Sequence, residues 1–412
     1  MNQTSRKAIL ELIKKGEISP EDGLLLIKEL KRKEEAEAGT GVKIRCTSQE
    51  GKNLLDIAVI GISMRYPGAD NKEKFWENLK NSVGSITPVP QERWEIDSFF
   101  DSDPAVKDKT YCKMGGYIND IDKFDPLFFN ISPKEAELMD PQQRIFMEEA
   151  WKAIEDAGYS DKALWGTKCG IFVGASQGDY AKYLAAMGYQ NSADALTGVA
   201  PSILAARLSY FLNLTGPSIA LETACSSSLV AIHQACMSIR NNESEMAIAG
   251  GVVLMLTPEL HIRASKMGML SPDGKCRAFD EDANGTVFSE GAGVVVLKPL
   301  LKALEDGNHI YGVIKASGIN QDGKTNGITA PSAKSQTSLL LDVYRGAGIN
   351  PAEIGYIETH GTGTKLGDPI EIKALTNAFR NYTQKKQFCA VGSVKTNIGH
   401  ASIAAGAASF IK

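Results

Sequence analysis

The stretch that most constrains this chain runs from Gly216 to Ala235, GPSIALETACSSSLVAIHQA. Its first part, Pro217 to Thr223, alternates apolar and polar residues weakly and predicts a short buried strand. From Ser226 to Ile239 the apolar residues Leu229, Ile232, Ala235, Cys236 and Ile239 recur at helical spacing. Cys225 therefore falls on a strand-to-helix turn, flanked only by small residues. At such a turn the unpaired backbone N–H groups and the positive end of the helix dipole favour a thiolate. The small neighbours leave room for a bulky group at the sulfur. Taken alone, the same residue reads as an inert buried cysteine, the usual state of the type. What lies downstream decides between the two.

Two later segments each carry an apolar run into a histidine set among Gly and Thr. They are Tyr356–Pro369, YIETHGTGTKLGDP, and Val391–His400, VGSVKTNIGH. A thiol and two such histidines could together serve acyl transfer followed by decarboxylating carbon–carbon bond formation. Moving an acyl group onto Cys225 exchanges one thioester for another and needs a thiolate and oxyanion donors. Extending the chain needs a carbanion, made by losing CO2 from a malonyl thioester. The resulting enolate oxygen is stabilised by two neutral imidazoles donating N–H bonds. His360 and His400 are the candidates for that task. His233, His261 and His309 read as helix-face or surface groups.

Two rival chemistries fit less well. A cysteine-protease dyad wants one histidine base and a third orienting residue, not two histidines on separate glycine-rich loops. A dinucleotide site would need GxGxxG and a second strand ending in an acid. Gly361–Gly367 has GxGxxxG spacing, and no such strand follows.

The motifs TACSSS (Thr223–Ser228), ETHGTGT (Glu358–Thr364) and KTNIGH (Lys395–His400) occur in this order. With them the sequence resembles the β-ketoacyl synthases, in the branch found in modular polyketide synthases, from about Asp56 to the last residue. The resemblance implies an α/β, thiolase-like layered α-β-α-β-α fold. That fold would be incomplete at the C-terminus and preceded by a short helical N-terminal appendage. It implies decarboxylative Claisen condensation of a Cys225-bound acyl chain with malonyl-acyl carrier protein, in a homodimer. It makes Lys395 a contact that holds the catalytic histidines. It puts the hydroxyls of Thr362 and Thr364 on the amides of a phosphopantetheine arm. No cofactor is expected on the domain itself, its substrates being carried on the phosphopantetheine of acyl carrier protein. Asp368 and Glu371 read as structural, capping a helix or pairing with Lys395, and Asp368–Pro369 as an N-cap with proline at the first helical position. Ser402, Ser289 and Glu222 depart from the family pattern and are expected to tune packing.

Around these motifs the chain divides into residues 1–40, 41–53 and 54–412. The first holds two short helical patterns, at Ile9–Ile13 and after Ser19–Asp22, and reads as a docking or linker segment that could receive an upstream synthase subunit. The second is linker, and the third is the synthase domain. Near-continuous apolar strands at Leu55–Ser63, Gly170–Ala175, Met246–Val252 and Gly291–Lys298 indicate a layered α/β core. Gly312–Gly318 and Gly355–His360 add further strands. Asn71–Asn81 reads as a helix with Phe75, Trp76 and Leu79 inward, and Asp140-Pro-Gln-Gln opens another that runs from Arg144 to Ala157.

A formal charge of −4 over 412 residues gives no reason to invoke nucleic acid or an anionic membrane. Seven scattered cysteines with no CxxC pair argue for a reducing compartment and against a disulfide framework or a zinc site. No signal-peptide core and no run of membrane-spanning length is present, so a soluble cytoplasmic protein is expected. The chain stops at Ala408–Lys412 within an apolar helical pattern, where the family continues to a gating Phe and a second oxyanion N–H. Two other functions compete with condensation. One is a non-elongating gate that only passes acyl chains along, which usually lacks the second histidine. The other is an inactive fragment acting through the interaction surface of residues 1–40.

Overall fold

A computed structural model of the chain describes residues 55–412. The expected docking segment 1–40 and linker 41–53 lie outside the described residues. In chain order the elements that position the site begin with β1 (Ile57–Arg65), α1 (Lys72–Lys80), β2 (Thr87–Pro88), β3 (Met114–Gly115), α2 (Pro141–Asp156) and β4 (Cys169–Gly174). Next come α3 (Pro201–Phe211), β5 (Ser218–Leu221), α4 (Ser227–Arg240), β6 (Met246–Val253), β7 (Gly291–Pro299) and β8 (Gly312–Ile314). The last are α5 (Ala333–Gly346), β9 (Tyr356–Glu358), α6 (Gly367–Phe379), β10 (Ala390–Gly392), α7 (Lys395–Ile398) and α8 (Ala405–Ile411).

One six-stranded sheet, ordered β5-β4-β6-β7-β1-β8, carries the core. β4 runs parallel to both β5 and β6, and the β6–β7, β7–β1 and β1–β8 pairs are antiparallel. β4 and β6 are buried along their whole length, and β1 and β7 nearly so, which is why their sequences are apolar without alternation. On one face Ile145, Phe146, Leu204 and Leu208 of α2 and α3 pack on Ile171, Ile248 and Val294. On the other, Ala231, Ile232 and Cys236 of α4 meet Phe172, Ala247 and Val295. The result is helix, sheet, helix.

A second, parallel sheet of β9 and β10 pairs Tyr356 with Ala390 and Glu358 with Gly392. Helix α2 starts as its sequence predicts: Asp140 accepts from the N–H of Gln142 at 2.8 Å, and Pro141 takes the first position. Among the described residues no helix is long and apolar enough to cross a membrane.

Three local expectations give way to packing. β5 is an edge strand with its residues exposed or half-buried, not a buried one, because nothing among the described residues pairs with its outer side. Leu229 is 48 % exposed although it shares the spacing of its buried neighbours on α4. It lies on the first turn, where the buried positions are Ser227 and Ser228, packed against Gly174 and Gly251. Trp76 is 58 % exposed. Successive helical residues point about 100° apart, so α1 turns Phe75 and, one turn on, Asn78 inward and leaves Trp76 outside. The Asn78 side-chain amide donates to the Gly68 carbonyl at 2.7 Å.

Candidate active site

Cys225 stands between β5 and α4, as its flanking patterns require. Ala224 ahead of it has φ +54°, a left-handed conformation that costs a residue with a Cβ about 1–2 kcal/mol. Ser227 holds the turn closed: its Oγ accepts the Thr223 N–H at 2.8 Å and donates to the Ala224 carbonyl at 2.7 Å. Where β4 ends, Gly174 lets the helix head approach, since a Cβ there would lie 2.7 Å from the Ser228 backbone nitrogen. The thiol is half-buried, and burial pushes its pKa up while the charge of Lys395 pulls it down. Burial thus opposes the thiolate, while the Lys395 charge and then the backbone N–H of Cys225 favour it.

The two histidines come together through β9 and β10. These strands are parallel neighbours, so the loops that leave their C-terminal ends run side by side. The rings of His360 and His400 lie 5.3 Å apart between centroids and cross at 88°. His400 is buried, and its ring stacks on Phe288 at 5.6 Å. Its backbone N–H donates to Val287 at 2.7 Å, and its carbonyl accepts from Ser289 at 3.0 Å. The Ser402 N–H donates to His400 Nδ1 at 3.1 Å, which puts the proton of the neutral ring on Nε2. Burial, then Lys395, then His360 hold the His400 pKa well below the usual histidine range. His360 keeps one side open to solvent. The crowding around the rest of its ring, and after it Lys395, push its pKa down to about 4. Both imidazoles are neutral near pH 7, the form that donates one N–H.

Lys395 opens α7 and is only 2 % exposed. Burial lowers its pKa, while Cys276, Glu358, Glu371 and Cys225 act in the opposite direction. Its charge acts on Cys225, His360 and His400 alike, so a single buried cation couples the three groups. The hydroxyls of Thr362 and Thr364 lie 3.3 Å apart, and Thr364 Oγ accepts the Gly367 N–H at 3.2 Å. Thr364 therefore also serves the start of α6.

Of the two acids read as structural, Asp368 departs from its reading as an N-cap, and Glu371 acts on Lys395 as one of its readings had it. Helix α6 begins at Gly367 with Leu366 at the cap, so Asp368 is not the N-cap. Its Oδ2 instead accepts the Phe279 N–H from a distant loop at 2.7 Å. Glu371 spans the histidine loop: Oε1 accepts the His360 N–H at 2.7 Å and Oε2 the Gly361 N–H at 2.9 Å. It lies one turn beyond Asp368 on α6, and that spacing was the available signal. Cys276 was missed altogether; its Sγ donates to the Thr362 carbonyl at 3.4 Å beside Lys395. Nothing in its local sequence points to the site. His261, read as a helix-face or surface group, is fully buried against Trp94, with Nε2 at 3.2 Å from the Met114 carbonyl.

The family model for the β-ketoacyl synthase N-terminal domain matches residues 55–303, and that for the C-terminal domain matches residues 311–412. The chain belongs to the β-ketoacyl synthase family. Among curated relatives of this synthase domain, polyketide synthase PksL of Bacillus subtilis (strain 168) is 55% identical over 352 residues, covering 85% of this chain and 8% of PksL. Polyketide synthase PksM of the same organism is 49% identical over 355 residues, covering 86% of this chain and 8% of PksM. The ketosynthase from module 6 of the bacillaene synthase of Bacillus subtilis 168 superposes with a TM-score of 0.82 at 53% identity, over 86% of this chain and 60% of that one. The oxazolomycin ketosynthase domain OzmH KS7 of Streptomyces albus JA3453 gives a TM-score of 0.83 at 41% identity, over 86% and 61%. The thiolase-like ketosynthase fold implied by the motifs is thus the fold of the synthase domain. The chain spans a small part of the length of the curated relatives it matches.

Proposed function

We propose that this β-ketoacyl synthase domain catalyses decarboxylative condensation within a polyketide synthase, joining an acyl chain on Cys225 to a malonyl unit on acyl carrier protein. The supporting observation is the pair of crossed, neutral imidazoles whose neighbouring buried lysine also acts on the thiol. In the first half-reaction the Cys225 thiolate attacks the carbonyl of an acyl-carrier thioester. The C–S bond to phosphopantetheine breaks, and the carrier leaves as a thiol after taking up the proton.

In the second half-reaction a malonyl-carrier thioester enters and its C–C bond to the carboxylate breaks, releasing CO2. The electron pair moves into an enolate, whose oxygen accepts from the N–H of His360 and from Nε2–H of His400. The Ser402 N–H on Nδ1 of His400 keeps that donor in the right tautomer. The enolate carbon then attacks the acyl thioester, and the Cys225 thiolate departs. Lys395 stabilises negative charge on the sulfur and disfavours protonation of both rings. Thr362 and Thr364 line the arm of the carrier, which passes the glycine-rich loop. The exposed edge of β5 and the neighbouring Tyr210, 89 % exposed, suit pairing with a second copy.

Mass spectrometry of the chain with acyl- and malonyl-carrier proteins tests this reading. Cys225→Ala is expected to abolish acyl loading, and His360→Ala to leave loading intact while stopping CO2 release and extension. Acyl transfer onto the Cys225→Ala chain would overturn the assignment. Loading without CO2 release by the unaltered domain would identify a gate instead.

A further inference from the structure

Beside the condensing site the sheet carries a second cleft, of about 1040 Å³. Tyr180 and Tyr183 follow β4, Leu256 follows β6, and Arg144 lies on the first turn of α2; all four line it. Because β4, β5 and β6 are parallel, the cleft opens along the same edge of the sheet as Cys225, which follows β5. None of the residues assigned to the condensation lines it.

Arg144 is the unusual group in this cleft. It is only 9 % exposed, and its Nε has no hydrogen-bond partner. Arg65, Arg93 and Arg207 each close on a glutamate, whereas Arg144 forms no ion pair among the described residues. Two acids act on it through space, and both are engaged elsewhere. Asp140 accepts from the backbone N–H and the side-chain amide of Gln142, and Asp122 is exposed and paired with Lys123. The contacts Arg144 does make are with Tyr180: its guanidinium lies 5.7 Å from the ring centroid and hydrogen-bonds the phenol oxygen. A buried guanidinium without an oxyanion is costly, and planar bidentate pairing with a carboxylate is the arrangement that best offsets the cost.

We infer that this cleft binds a monocarboxylic acid with an apolar body, its carboxylate on Arg144 and its tail against Ile121 and Leu256. The rim explains the restriction to one charge. Glu92, Asp120, Asp122 and Glu137 stand exposed around the mouth, and their repulsion grows with the charge of the anion, so a phosphate ester or nucleotide is disfavoured more than a single carboxylate. The site goes beyond the proposed condensation and does not require it.

Isothermal titration of the full chain carrying Cys225→Ala tests the inference without interference from acyl chemistry. Hexanoate, methyl hexanoate and inorganic phosphate serve as probes. Saturable one-to-one binding of hexanoate is expected, weakened about tenfold or more by Arg144→Gln. Arg144→Lys keeps the charge and loses the fork; it is expected to bind more weakly than the parent, and it stands in should Arg144→Gln fail to fold. Equal binding of the methyl ester would overturn the inference, because the cleft would then be selecting apolar bulk alone. Phosphate binding as tight as hexanoate, or no saturable hexanoate binding, would also overturn it.

Discussion

The seat of the thiol and the seat of the two imidazoles are built on different principles. Cys225 stands where a strand of the main sheet turns into α4, a helix pressed against β4 and β6 with glycine at the contact points. Its position is set by packing, which is rigid because a close-packed interior does not deform gradually. His360 and His400 hang from a sheet of two short strands, each exposed or half-buried. Their positions are set by directed hydrogen bonds: Glu371 to the His360 loop, Glu358 to the Val394 N–H at 2.6 Å, and Ser402 to the His400 ring. Substitutions in the first region should therefore cost stability first, and those in the second should cost rate first.

Lys395 belongs to both regions, and removing its charge should have the largest effect. Lys395→Met should lower extension by about a hundredfold or more, on the scale of removing an electrostatic stabiliser in a closed site. Alkylation of Cys225 by iodoacetamide at neutral pH should slow as well, because the larger of the influences opposing burial of the thiol is gone. If alkylation is unchanged, the lysine does not couple the two halves of the site.

Glu371→Gln sharpens the contrast. The amide can accept from only one of the His360 and Gly361 N–H groups, leaving the other unpaired at a cost of about 1–3 kcal/mol. Extension should fall about tenfold or more, with acyl loading of Cys225 unaltered. A matching loss of loading would show that the histidine loop also shapes the thiol.

Gly174→Ala and Gly361→Ala set the two regions against each other directly. An alanine Cβ at 174 would meet the Ser228 nitrogen at 2.7 Å and the Ser227 carbonyl carbon at 2.8 Å, forcing the head of α4 outward. We expect a loss of about 1–3 kcal/mol in stability, read as a lower Tm, together with slower loading. Gly361 has φ +40° and faces the Ser393 Cβ at 2.7 Å. Alanine there should lower Tm less and slow extension while sparing loading. The reverse ranking would break the comparison.

The smallest effect concerns His261, remote from both regions. Burial holds its pKa below the ordinary 6.5. As the pH falls through that value the unfolded chain takes up a proton that the folded chain resists, so stability drops on the acid side. Between about pH 7 and about pH 5 the unaltered chain should lose more Tm than His261→Gln does. Equal losses would mean that the ring does not titrate on unfolding.

Much of this site was legible before any coordinates. The strand, turn and helix around Cys225 follow from residue spacing, and the histidines were marked by their motifs. The helix cap at Asp140 and the buried strands β1, β4, β6 and β7 were read from local pattern for the same reason. What escaped were features that depend on a partner far along the chain. Trp76 and Leu229 have the hydrophobicity of core residues, but which face a helix presents is chosen by what it packs against. Asp368 and Glu371 read as helix caps or partners of Lys395, and their hydrogen bonds to the loops at Phe279 and His360 were not legible.

The sequence by itself determined the reactive groups and the local geometry carrying each one, because turns, caps and periodicity act over a few residues. Only the tertiary structure decided that the thiol is raised by burial, that one lysine acts on the thiol and both rings, and that Arg144 is buried without an acid. Those are matters of desolvation and through-space charge. They arise when segments distant in the chain exclude water from one another, and no short stretch of residues carries that information.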